Sequence, residues 1–201
     1  MSKSLSEAVI PSDKNTALRL WKRREFLSRT GLTATGLALL SGQQILAAED
    51  VTARLAVLGI VLPEVPPPVA NYVPWVREDN LVYLAGQIPI VNEVLLHPGK
   101  VPDQVSIEEG RQAARQCGIQ LIAALNAACD GNLDRVRRCL RLDGFVASSA
   151  GFNQQSSVIN GASDLMVEVF GDAGRHTRTA VGVSELPLNA CVEVAGVFIL
   201  N

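Results

Sequence analysis

Arg178-Thr-Ala-Val-Gly-Val-Ser-Glu-Leu-Pro-Leu-Asn-Ala-Cys-Val-Glu193-Val194 sets one arginine and one glutamate into an otherwise apolar two-strand pattern. Thr179, Val181 and Val183 alternate with Arg178, Ala180 and Gly182, the period of a strand with one buried face. Val192 and Val194 resume the alternation after a turn over Leu186 to Asn189, so the stretch is expected to be a β-hairpin. A guanidinium grips a carboxylate through two parallel hydrogen bonds, and a glutamate in a partly dry pocket exchanges protons near neutral pH. The pair therefore suits binding of an organic acid with acid–base chemistry on it. Spacing alone leaves a second reading open, in which Arg178 and Glu193 are simply cross-strand ion partners.

Working upstream, Ser156 to Phe170 has helical spacing and Val136 to Ala147 reads as a strand. Ser106-Ile-Glu-Glu109 is a capping box, in which serine oxygen and glutamate each satisfy a free amide at a helix start. Ala114, Cys117, Leu121, Leu125 and Ala128 then form a stripe of mostly small apolar residues, stopped by Asp130-Gly131-Asn132. Tyr72 to Arg77 and Leu81 to Gln87 are two short strands joined by Glu78-Asp79-Asn80. Thr52 to Leu58 has helical spacing, and a proline-rich connector follows from Leu62 to Pro68. With Ala190 to Leu200 as the closing strand, the order β-β-α-β-α-β-β predicts an α+β domain: a mixed sheet with two helices on one face. The uncovered face of such a sheet calls for a partner.

The first 48 residues read differently. Arg23-Arg24-Glu-Phe-Leu precedes the uncharged stretch Thr30 to Ala48, the outline of a twin-arginine export signal and hence of a periplasmic destination. Its most apolar part, Gly31 to Leu40, is far shorter than the roughly 20 residues that span a bilayer, so no stable membrane anchor is expected. The chain thus divides into a signal (1–48), an N-terminal extension with the connector (49–70) and a folded domain (71–201). Without residues 1–48 the 18 Lys and Arg fall to 11 and the 20 Asp and Glu to 17, a net charge of −6. That charge and only nine aromatic residues argue against a nucleic-acid partner. The basic cluster Arg135, Arg137, Arg138 and Arg141 reads as a solvated strand edge or a subunit contact. The four cysteines lack metal-finger spacing, and His97 and His176 belong to no ligand motif, so no metal is expected; chemistry carried by Arg178 and Glu193 would need no cofactor. Buried thiols are the default reading of the cysteines, with room for one disulfide in an oxidising compartment.

Asn71-Tyr-Val-Pro, Leu81-Val-Tyr-Leu-Ala-Gly-Gln-Ile-Pro89 and the Arg178 to Val194 run together resemble the reactive-intermediate deaminase (Rid, or YjgF-like) family over nearly all of residues 51 to 200. The Arg54 to Ile60 opening and the Asn160-Gly-Ala-Ser-Asp-Leu segment look closest to a divergent branch of it. The resemblance implies a chorismate-mutase-like fold, a homotrimer whose sheets close into a central barrel, and ligand sites at the subunit interfaces. It also implies hydrolysis of small enamine or imine acids to 2-keto acids and ammonia. In that reading Arg178 holds the substrate carboxylate and Glu193 positions the attacking water. Tyr72 walls the pocket, the Gly86 backbone approaches the substrate, the Ala180 main chain helps hold the water, and Asn160 falls near a family asparagine. Each has a plain structural alternative: half-buried core for Tyr72, a strand-end turn for Gly86, packing for Ala180 and a helix-start cap for Asn160. Ala85 and Ala195 depart from the serine and the second acid common in the family, which bears on pocket polarity. His176 would share a strand face with Arg178 if the strand began early; otherwise it is an exposed loop histidine. A non-catalytic trimeric module that binds small carboxylates is the alternative function, and a ribonuclease the third.

Overall fold

The computed structural model describes residues 50–65 and 71–201. The twin-arginine stretch and Pro66-Pro67-Pro68 lie outside the described residues. Helix α1 (Val51–Val57) opens on Asp50, whose carboxylate accepts from the Ala53 amide at 2.6 Å. Val51 and Leu55 drop into the main core, and Arg54 Nη1 donates to the Val169 carbonyl at 3.3 Å.

Strands β1 (Trp75–Glu78) and β2 (Leu81–Gln87) form an antiparallel hairpin. The first strand is shorter than the expected Tyr72 to Arg77, because Pro74 has no amide proton to give the ladder and only its carbonyl takes part, accepting from Ala85. A small ribbon follows, β3 (Ile90–Val91) with β4 (Val94–Leu95), turned by Asn92 and Glu93 at positive φ. Helix α2 (Ile107–Ala128) starts at Ser106 with both bonds of the capping box in place. Strand β5 (Val136–Ala147), helix α3 (Gln155–Phe170), strand β6 (Thr177–Val183) and strand β7 (Val192–Leu200) complete the domain.

The five-stranded sheet runs β1-β2-β7-β5-β6, so the predicted hairpin from Arg178 to Val194 does not exist. Strand β6 pairs with β5 in parallel, reached through α3 as a β-α-β crossover, and β7 inserts between β2 and β5, antiparallel to both. The physical reason lies in the link. Residues 184–191 are longer than a tight turn requires, and they carry the chain past β5, roughly 10 Å across two strand spacings. The reward is a central β7 paired on both sides, with Val192, Val194, Phe198 and Leu200 wholly buried under the helices.

Both long helices lie on that one face, in the predicted α+β architecture. They lie close together where α3 carries Gly161: a methyl group there would overlap the Arg111 carbonyl of α2. Arg111 pairs with Asp164 at 2.9 Å and Arg115 with Glu168 at 2.8 Å along the outer seam. On the other face Val76, Tyr83 and Val181 stand exposed to solvent. The basic cluster divides. Arg135 pairs with Asp130, Arg141 with Asp143, and Arg137 and Arg138 sit on the part of β5 that runs beyond β6 and so has one free edge. All four cysteines are buried free thiols, and burial pushes Cys139 up to about 12 and Cys191 up to about 11. Among the described residues no helix is long and apolar enough to cross a membrane.

Candidate functional site

Strand register decides which face each candidate residue occupies. Arg178 stands opposite Leu142, which is fully buried beneath the helices, so the Arg178 side chain leaves β6 on the helical side. There its Nη1 donates to Asn160 Oδ1 at 2.8 Å and to Ser163 Oγ at 3.0 Å, both on α3. Ala180, two residues on, packs against the core from the same side. Glu193 stands between the buried Val192 and Val194 and opposite Phe145, so it emerges on the open face. The two charges are thus on opposite faces, two strands apart and three residues along, roughly 10 Å in each direction. They are not cross-strand ion partners. Nor does one copy of the chain bring them to a common ligand.

Glu193 is half-buried, and that burial alone pushes its carboxyl above the ordinary value. The carboxylate lies over Gly86, where β2 is interrupted by a bulge between Leu84 and Gln87. A methyl group at Gly86 would overlap Glu193 Oε1 and stand 2.8 Å from its Cδ. Gly86 is therefore a recess for the glutamate side chain rather than the strand-end turn of the plain reading. Tyr72 precedes β1 and is 58% exposed, so the half-buried core reading fails for it. Asn160 is no helix cap: α3 has begun five residues earlier, at Gln155, and its amide oxygen faces Arg178 instead.

His176 is not an exposed loop histidine either. It is partly buried just before β6, with Nδ1 2.6 Å from the Gly174 carbonyl and Nε2 3.1 Å from Ser163 Oγ. Burial and then the neighbouring Arg178 charge hold its pKa below the ordinary value. Sequence reasoning missed Ser163. Its signal was the three-residue step from Asn160, which puts both side chains on one helix face. It also missed a second cluster on the open face, where Arg141 Nη2 lies 2.8 Å from Asp143 Oδ1 and 3.0 Å from Thr179 Oγ1. Among the described residues no group of three or more His, Cys, Asp or Glu could hold a metal.

Residues 52–199 match the family model described as "YjgF/chorismate_mutase-like, putative endoribonuclease". The chain belongs to this family. A relative, Protein TCP17 of Trypanosoma cruzi, is 42% identical over 158 residues, which cover 78% of this chain and 98% of the relative. Among solved structures, Atu1372 of Agrobacterium tumefaciens, a protein of unknown function, is 39% identical with a TM-score of 0.69. The match covers 75% of this chain and 91% of that one. A Shewanella oneidensis structure carrying the same endoribonuclease label is 32% identical with a TM-score of 0.72, over 75% of this chain and 99% of its own. The YjgF-like fold, with its mixed sheet and one-sided helices, agrees with these neighbours.

Proposed function

We propose that this YjgF-like chain hydrolyses small enamine or imine acids to 2-keto acids and ammonia, in a site shared between copies of a homotrimer. The observation that carries the reading is the pair of half-sites on opposite faces of one sheet. One is a guanidinium on the helical side with only Nη1 engaged among the described residues. The other is a desolvated carboxyl held against a glycine backbone on the open side. Exposed Val76, Tyr83 and Val181 give the open face apolar surface to bury against another copy. Arg178 of one copy then fixes the substrate carboxylate while Glu193 of the next faces the imine carbon.

In the reaction, the Glu193 carboxylate takes a proton from water as the oxygen attacks the imine carbon and passes that proton to the imine nitrogen, giving a carbinolamine. The same carboxylate then takes the carbinolamine hydroxyl proton and delivers it to the nitrogen, so that the C–N bond breaks, the ketone forms and ammonia leaves. A carboxyl whose pKa is raised by burial suits both steps.

Purified protein is expected to speed ammonia release when imines are generated by an amino-acid oxidase; no acceleration with any amino acid refutes the activity. Sharing of the site has its own test. Arg178→Ala and Glu193→Gln chains are each inactive alone, but dissociated and reassembled together in equal amounts they regain about a quarter of wild-type activity, the fraction of interfaces joining two intact halves. No recovery would mean that both residues act within one copy. If Glu193→Gln leaves 2-keto acid binding intact and the wild type never turns over, the chain is a carboxylate-binding module instead. The net charge of −6 that the chain carries without residues 1–48 opposes the ribonuclease reading.

We also take residues 1–48 as a twin-arginine export signal, supported by Arg23-Arg24-Glu-Phe-Leu and by a family match that begins only at residue 52. The export machinery is then a transient partner and the periplasm the destination. Replacing Arg23 and Arg24 by lysine should retain the precursor in the cytoplasm; export that persists without the pair removes the assignment.

A further inference from the structure

While His176 is neutral, the donors and acceptors around Arg178 permit only one assignment. The Gly174 carbonyl can only accept, so His176 Nδ1, 2.6 Å away, carries the imidazole proton. Neutral imidazole then has a lone pair at Nε2, and Ser163 Oγ at 3.1 Å must donate to it. With its single proton committed, the Ser163 oxygen offers lone pairs to Arg178 Nη1 at 3.0 Å, alongside Asn160 Oδ1 at 2.8 Å. Both bonds fall on Nη1, and Nε and Nη2, the two donors that form a fork, stay uncommitted among the described residues.

We propose that His176 and Ser163 are positioning residues for Arg178, a hydrogen-bonded chain that pins one corner of the guanidinium to α3 and aims its free fork at a carboxylate. The proposal rests on the reading of Arg178 as the carboxylate clamp. It goes beyond that reading by making clamp geometry depend on which histidine nitrogen carries the proton. An imidazolium would present Nε2–H to Ser163, whose hydroxyl could then no longer donate there, and would add a second positive charge beside the guanidinium. The charged groups on the elements around His176 are Arg178 on β6, Arg138 on β5, Arg175 held by Asp172 in the preceding turn, and Asp164 on α3 held by Arg111. None supplies a free carboxylate to stabilise the charged ring.

The test uses the full-length protein. Nitrogen NMR of His176 should show the Nδ1–H tautomer, and calorimetry should follow 2-ketobutyrate binding between pH 5 and 8. Ser163→Ala and His176→Phe are expected to weaken binding, and to raise KM, about tenfold with kcat nearly unchanged. His176→Gln, whose amide oxygen can stand in for Nε2, should keep most of the affinity. Wild-type affinity should fall as His176 gains its proton on acidification, and that fall should vanish in His176→Gln. An Nε2–H tautomer overturns the proposal, as does unaltered affinity in both Ser163→Ala and His176→Phe while Arg178→Ala abolishes binding. If the wild type binds no 2-keto acid, the clamp reading falls. The tautomer and the sharpness of the Arg178 Nε–H signal, lost in Ser163→Ala, then still decide whether the chain holds the guanidinium.

Discussion

Gly86→Ala separates a residue that serves the fold from one that serves the site. The added methyl would stand 2.8 Å from Glu193 Cδ and 3.1 Å from Cγ, besides overlapping Oε1. Ordinary carbon–carbon contact is about 3.5–4.0 Å, so the carboxyl carbon must retreat by about 1 Å. What moves is the far end of a flexible side chain on the open face, not backbone, so stability should change by no more than about 1 kcal/mol, a melting shift within about 4 °C. A displacement of about 1 Å in a proton-transferring group can cost about a hundredfold in rate. Ammonia release with an oxidase-generated imine should therefore drop by about that factor while 2-keto acid binding through Arg178 changes little. Turnover within threefold of the wild type would refute the recess argument, and so would a fall in melting temperature beyond about 10 °C, because Gly86 would then be a structural glycine after all.

Three further outcomes follow from the same structure. Gly161→Ala meets the Arg111 backbone rather than a side chain, so α2 and α3 must separate; about 3 kcal/mol is expected, read as a melting temperature about 6–12 °C lower. Glu193→Gln should stabilise the protein at neutral pH: burial raises the folded pKa, so the native state holds its proton longer than the unfolded chain, and stability is lost as pH rises from the unfolded value through the folded one. Melts of variant and wild type should differ at pH 7 and converge below the unfolded value; a difference that grows on acidification contradicts the assignment. All four cysteines should resist a thiol reagent at pH 8 in the folded protein and react fully in denaturant, since each is buried and burial raises their pKa values.

The elements that could be read from sequence are those whose signal is local. The capping box at Ser106 fixed the start of α2 to the residue, and the apolar runs placed β2 and β5 because their alternation or length needs no knowledge of neighbours. The pairing of Arg178 with Glu193 failed because strand order is not local. Two strands close in sequence look like a hairpin unless the link is weighed as a crossing over a third. The cap reading of Asn160 failed for a related reason. A residue before a glycine resembles a cap, and only the true start at Gln155 turns it into a mid-helix side chain aimed at a strand.

That failed pairing is also what gives the site its meaning. Had β6 and β7 been neighbours, Arg178 and Glu193 could have neutralised each other across the ladder, a contact worth little and leaving no donors for a ligand. The inserted β5 keeps them apart and sends them to opposite faces, so each charge must find another answer. Arg178 finds half of one on α3, from neutral acceptors that orient it without cancelling its charge. Glu193 finds none among the described residues and stays partly desolvated against Gly86, which is costly in an isolated copy. On the proposed reading, this separation serves a ligand held between copies. Activity would then depend on assembly, because neither half-site has the other's chemistry within reach.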